Sequence, residues 1–242
     1  AVAQLAASGE KERGAVHTLP EVVRFILDLA GYTSEKRLFN FSILEPSFGH
    51  GECVIEIVNR LLTAYTRDRA QENIDRDVLA RALTAVDLNA ASYEQGRERL
   101  DIALRDFGFK RSDRDRLIAS WLIQDDFLLA RLSARYHFVV GNPPYVRQEL
   151  IPTELIEEYR RRFETIYDRA DLYVPFFEKS LSLLRQGGLL GFICSDRWIM
   201  NKYGGPLRNY IAANHWRICY VDMGDIDAFE GEVSAGMRLW VH

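Results

Sequence analysis

Asn142-Pro143-Pro144-Tyr145 follows an apolar run and Gly141, and it joins a carboxamide, two prolines and an aromatic ring in one short turn. Two successive prolines remove two N–H donors and fix φ twice, so the turn is rigid and extended. Asn142 precedes a proline, which pushes its own backbone away from the helical region. What remains is a set of acceptors, the Asn142 side-chain oxygen and the Pro143 carbonyl, with the flat Tyr145 ring beside them. Such a set suits a planar amino group attached to an aromatic ring. The plain alternative is a structural turn, and the clusters elsewhere in the chain weigh against it.

Glu45-Pro46-Ser47-Phe48-Gly49-His50-Gly51 follows a second apolar run. Glycines two apart let the backbone bend sharply and approach a ligand, because no Cβ intervenes. Alone, the pair also describes an ordinary turn. Val54 stands where the dinucleotide fingerprint has its third glycine, which counts against NAD. Asp87 ends a third run, where an acid can accept hydrogen bonds from both ribose hydroxyls of an adenosine lying across a sheet. Equally, Asp87-Leu88-Asn89 can cap the helix that follows. The Gly51-to-Asp87 spacing exceeds the roughly 20 residues of a nicotinamide site, an excess for which segment 67–81 can account. Gln124-Asp125-Asp126-Phe127 ends a fourth run and offers an acid to the amino group of an adenine; for Asp125, solvation of a surface turn is the better reading.

These clusters sit at the ends of apolar runs, which occupy 41–46, 82–88, 118–124, 137–143, 188–194, 217–223 and 236–242. The runs are continuous rather than alternating, as expected of strands buried on both faces of a parallel sheet. Amphipathic stretches separate them at 51–65, 90–107, 172–186 and 205–215. An earlier stretch, 19–31, has Pro20 in its first turn and Gly31 past its end, the usual helix start and stop. The alternation predicts one domain of α/β class, a doubly wound, mostly parallel, seven-stranded sheet with helices on both faces. In such sheets ligands lie beyond the carboxyl ends of the strands. Residues 67–81 read as a charged helical insertion, and 146–170 as a polar excursion after the proline turn.

Composition narrows the classes. The 242 residues are 48% hydrophobic and 27% charged, close to the average of folded soluble chains. A net charge of -4 excludes a body that grips nucleic acid through charge alone. No apolar run approaches the roughly 18 residues of a membrane helix. The N-terminus lacks the basic and apolar segments of a signal peptide. Cys53, Cys194 and Cys219 are far apart and form no CxxC pair, so a metal site or disulfide framework is not expected and a reducing cytoplasm fits. The chain begins without Met and breaks off in β-forming residues at His242, which reads as a piece of a longer polypeptide.

Taken together, ILEPSFGHGECV, AVDLN, DDFL and VVGNPPYV resemble, in order, the cofactor and catalytic motifs of amino-group DNA methyltransferases of the class I S-adenosylmethionine (SAM) fold, which is Rossmann-like. HTLPEVVRFIL is similar to their N-terminal cofactor motif, although Leu19 separates Thr18 from Pro20. DLYVPFFEKSLSLLRQGGLLGFICSDRWI and GGPLRNYI are similar to the Eco57I-like restriction–modification adenine methyltransferases, and the motif order is that of the γ group. The resemblance spans about residues 15–242.

It implies SAM as cofactor, with Thr18, Pro20, Glu45, Pro46, Gly49 and Gly51 around the methionine end, Asp87 at the ribose, and Asp126 with Phe127 at the adenine. His50 and Glu52 are bulkier than the small residues frequent in that loop. For catalysis it implies Asn142, Pro143, Pro144 and Tyr145. Accepting both N–H bonds of the adenine N6 amine at Asn142 Oδ1 and the Pro143 carbonyl localises the nitrogen lone pair for methyl transfer, without a covalent intermediate. A C5-cytosine mechanism needs a cysteine nucleophile after proline, which Cys194 does not match. The target adenine of double-stranded DNA must flip out, with Tyr145 stacking on one face; Phe229 is the candidate inside the chain for the second aromatic. A target-recognition domain or specificity subunit is expected after His242.

Rival substrates are a protein glutamine amide, RNA adenine, or cytosine N4, which usually goes with Ser in place of Asn142. A non-catalytic SAM- or DNA-binding subunit is the rival from another class. No PD…ExK nuclease arrangement is present. Most of the 31 basic residues are arginines, and Arg147, Arg160, Arg161 and Arg162 follow the catalytic turn, where they would contact the phosphates beside a flipped base. The competing reading is a solvated helix face paired with Glu154, Glu157, Glu158 and Glu164.

Overall fold

The computed structural model describes residues 1–7, 18–133, 135–214, 216–222 and 236–241. Its strands are β1 (Ile43–Glu45), β2 (Leu83–Asp87), β3 (Leu122–Gln124), β4 (Tyr136–Gly141), β5 (Leu184–Cys194), β6 (Trp216–Asp222) and β7 (Gly236–Val241). Its helices among the described residues are α1 (Val2–Ala7), α2 (Pro20–Leu29), α3 (Glu52–Arg69), α4 (Asp77–Ala80), α5 (Ala90–Asp106), α6 (Arg111–Trp121), α7 (Thr153–Arg162), α8 (Tyr173–Ser182), α9 (Arg197–Met200) and α10 (Gly205–Asn214).

Five strands pair in parallel in the order β3-β2-β1-β4-β5, and β7 runs antiparallel between β5 and β6 at the far edge. Strand direction alternates side chains between faces, and both faces are apolar. Ile43, Leu83, Ala85, Phe138 and Val140 join one core with α2, α3, α5 and α6. Leu44, Val86, Val139, Leu190 and Phe192 join a second core with α7, α8 and α10. This two-sided burial is why the runs carry no polar alternation.

Local signals explain the helix ends. Pro20 opens α2, and Gly31 at φ +67° closes it while the Tyr32 amide donates back to the Leu27 carbonyl at 2.9 Å. Gly108 at φ +79° closes α5 in the same way, with the Phe109 amide on the Leu104 carbonyl at 3.0 Å.

Two expectations need correction. Residues 67–81 are not a helical insertion: α3 runs on to Arg69, a turn follows, and only α4 is helical. Residues 118–121 are not strand but the last turn of α6, where Leu117, Ile118 and Trp121 bury themselves and the Trp121 indole donates to the Leu79 carbonyl at 2.8 Å. The excursion 146–170 is ordered around α7, which buries Leu155, Ile156 and Tyr159.

Candidate active site

The carboxyl ends of β1, β2, β3 and β4 converge on one open cleft, the place where ligands bind in such sheets. Thr18, Glu45, Pro46, Gly49, Asp87, Asp126, Phe127, Asn142 and Pro144 all line it. Pro20, Gly51, Pro143 and Tyr145 are not in its wall. Pro20 starts α2, and Gly51 at φ +90° is the residue on which α3 begins.

Glu45 ends β1 fully buried, with the Cys53 thiol and the Ser47 amide as its near donors. Burial pushes its carboxyl up to about 8, offset in part by the Cys53 thiol and the Ser47 amide. Gly141 explains how the carboxylate fits there. A Cβ at that position would collide with Glu45 Oε1, so the glycine ahead of the proline turn leaves the space that this carboxylate occupies. The Cys53 thiol is itself pushed up by burial and by Glu45, the opposite of an activated nucleophile.

The glycine loop is held by its neighbours. Gly49 adopts φ +53°, and its amide donates to Asp87 Oδ2 at 2.8 Å. Asp87 Oδ1 accepts from the Asn89 amide at 2.8 Å, but the side chain that caps α5 is Asn89, whose Oδ1 accepts from the Ser92 amide at 2.9 Å. Phe48 lies against Gly96 of α5, where a Cβ would come within 2.7 Å of its ring.

Asp126, 4% exposed, accepts from the Leu128 amide at 2.8 Å and from the Tyr159 hydroxyl at 2.5 Å. Burial raises its carboxyl despite those donors. Phe127 is buried, with its ring 4.9 Å from that of Phe176.

Asn142 is tied in from two sides. Its Nδ2 donates to Thr18 Oγ1 at 3.1 Å, and the Ser47 hydroxyl donates to its carbonyl at 3.1 Å. Thr18 thus touches the proline turn, a contact its place in the sequence did not foretell. The Tyr145 hydroxyl donates to the Ile193 carbonyl at 3.2 Å, and its ring centroid lies 6.2 Å from that of Tyr173.

The arginines stand apart from the cleft wall. Arg147 is exposed, and Arg160 donates to the Asp168 carbonyl at 3.4 Å. Arg161 and Arg162 both pair with Glu158 at 2.7 Å, as the solvated-face reading expects of those two. Phe229 lies outside the described residues. Sequence reading missed Tyr159 and Leu5 in the cleft wall: each is one apolar position in a helix, with nothing in its spacing to mark it. Among the described residues, no group of three or more His, Cys, Asp or Glu could hold a metal, and no helix is long and apolar enough to cross a membrane.

The family described as Eco57I restriction-modification methylase matches residues 54–229. The chain is 48% identical over 94% of its length to the type II methyltransferase M.PaeR7I of Pseudomonas aeruginosa, covering 39% of that protein. It is 47% identical, again over 94% of its length, to M.BstVI of Geobacillus stearothermophilus, covering 41% of it. The chain therefore spans about two fifths of the length of these relatives. Among solved structures, the methyltransferase subunit of a type I restriction-modification system from Streptococcus thermophilus superposes with a TM-score of 0.67 at 13% identity, over 99% of this chain and 47% of that one. The fold is that of the class I SAM-dependent methyltransferases.

The residues present fit that cofactor. A buried carboxylate beside a glycine turn suits an α-ammonium group, Asp87 has acceptor capacity for a ribose, and Asp126 with Phe127 offers an acceptor and an apolar wall to an adenine. With 48% identity across nearly its whole length and the matched segment 54–229, this chain belongs to the Eco57I-type restriction-modification methylases.

Proposed function

We propose that this chain is the cofactor-binding and catalytic part of a DNA methyltransferase that modifies the N6 amine of adenine within a restriction–modification system. The observation that carries this reading is the meeting of the Asn142 turn with Glu45, Asp87 and Asp126 around one cleft. SAM, when bound, supplies an electrophilic methyl group on a sulfonium. Asn142 Oδ1 and the Pro143 carbonyl accept the two N–H bonds of the target amine, which draws its lone pair out of conjugation. Thr18 tethers the Asn142 amide, which limits the rearrangement the acceptors need at the moment of transfer. Tyr145, anchored through Ile193, offers its ring to one face of a base flipped from double-stranded DNA. A target-recognition region, in the same polypeptide or a partner subunit, would choose the site.

The test pairs a transfer assay with SAM calorimetry on Asn142→Ala. Transfer should disappear while SAM affinity stays within a few-fold of wild type, because the side-chain acceptor serves the target amine. Turnover near wild type would overturn the assignment. Digesting the methylated DNA to nucleosides separates the outcomes by base: N6-methyladenine supports the reading, and N4-methylcytosine moves the specificity to the rival amine.

A further inference from the structure

The loop 125–130, which follows β3, is held in place by the two helices that come after the catalytic turn. Tyr159 of α7 is 1% exposed, lines the cleft, and donates its hydroxyl to Asp126 Oδ2 at 2.5 Å. Lys179 of α8 donates to the Phe127 and Ala130 carbonyls, with its ammonium 5.0 Å over the Phe127 ring. Arg162 of α7 reaches the Leu129 carbonyl at 3.4 Å. A buried phenol needs an acceptor, and this one takes the carboxylate of Asp126, a residue that lines the same cleft.

An ionised carboxylate only accepts hydrogen bonds, whereas a protonated one also donates. A carboxylate acceptor matches the amino group of a 6-aminopurine; a protonated carboxyl would serve a 6-oxopurine as well. We propose that Tyr159 is a positioning residue that holds Asp126 as an acceptor-only carboxylate, so that the cleft selects an adenine nucleoside over its 6-oxo counterpart. This rests on the reading of Asp126 as the adenine contact. Among the hydrogen bonds that favour the carboxylate of Asp126, the one from the Tyr159 hydroxyl is the largest. Burial raises its carboxyl first, and Asp125 on the same loop adds to that; the Tyr159 hydroxyl and the Leu128 and Leu129 amides lower it. Lys179 from α8 also favours the charged form of Asp126; its own ammonium is lowered to about 8 by burial and stays charged at pH 6 to 7.

The test is calorimetry with S-adenosylhomocysteine and S-inosylhomocysteine on wild type, Tyr159→Phe, Asp126→Asn and the double variant, from pH 6 to 8, with thermal melts alongside. Tyr159→Phe should weaken the adenosyl ligand about tenfold and narrow its advantage over the inosyl ligand. The ratio to wild type should widen toward pH 6, where the unsupported carboxylate takes up a proton. In methyl transfer the loss should fall on KM for SAM rather than on kcat. If Tyr159 acts through Asp126, the double variant binds no more weakly than Asp126→Asn.

Additive losses, or a Tyr159→Phe protein with wild-type affinity and selectivity, would overturn the role of Tyr159 alone. Wild-type affinity in Asp126→Asn would instead overturn the adenine assignment beneath it. If Tyr159→Phe fails to fold, 3-fluorotyrosine at position 159 keeps the shape and donates more strongly. The pH at which affinity drops should then move down, and an unmoved edge refutes the proposal.

Discussion

Glu45 shows how one residue sets a binding site's response to pH. Its carboxyl is pushed up to about 8 from an ordinary value of about 4.5, chiefly by burial. Between those values the folded chain holds a proton that the unfolded chain has released, so ligand-free stability falls as pH rises through that window. An α-ammonium placed beside Glu45 favours the ionised form, so SAM binding should expel the proton. Affinity is therefore expected to rise between about pH 6 and 7.5, below the titration of the ligand's own amine, by no more than about tenfold per pH unit. Calorimetry in buffers of different ionisation enthalpy should detect proton release in wild type. Glu45→Gln should bind more weakly with a flatter profile, and an equally steep profile in that variant would place the titrating group elsewhere.

At the scale of elements, the cleft depends on connections between strand ends rather than on any single strand. Asp87 links the glycine loop to the start of α5 through the Gly49 and Asn89 amides. Its two candidate roles, ribose acceptor and organiser of a helix start, are thus compatible in one carboxylate. Asp87→Ala should weaken SAM binding by about 1–3 kcal/mol and also lower the melting temperature, since two half-buried amides lose their acceptor. Measuring both quantities on one protein decides the matter. A lower melting temperature with unchanged SAM affinity would reduce Asp87 to a structural role.

For the whole molecule, net charge and local pairing set what to expect on DNA. The chain carries -4, and Arg161 and Arg162 are already paired with Glu158. These 242 residues should bind SAM but hold DNA weakly and without sequence preference, with affinity falling steeply in salt. If Arg147 contacts a phosphate, Arg147→Ala should lower the salt slope by about one counterion, while Arg161→Ala changes it little. Fluorescence anisotropy across a salt series gives both slopes. Tight, site-specific binding by this chain alone would show that recognition resides within it.

Much was readable from residue types alone. Apolar runs without alternation announced a sheet buried on both faces, because burial on two sides leaves no polar period to see. Pro20 and Gly31 marked helix ends because their backbone preferences act within a turn or two. The acids at strand ends and the proline turn were legible for the same local reason, and the parallel architecture then required them to share one edge. Other features needed tertiary structure. Helix α6 was hidden because its first turns are charged and its last turn is apolar enough to read as strand; packing of Trp121 decided it. Contacts between distant segments carry no local signal at all. The Thr18–Asn142 bond, the Tyr159–Asp126 bond and the space that Gly141 leaves for Glu45 each join parts of the chain whose neighbourhood only the completed fold creates.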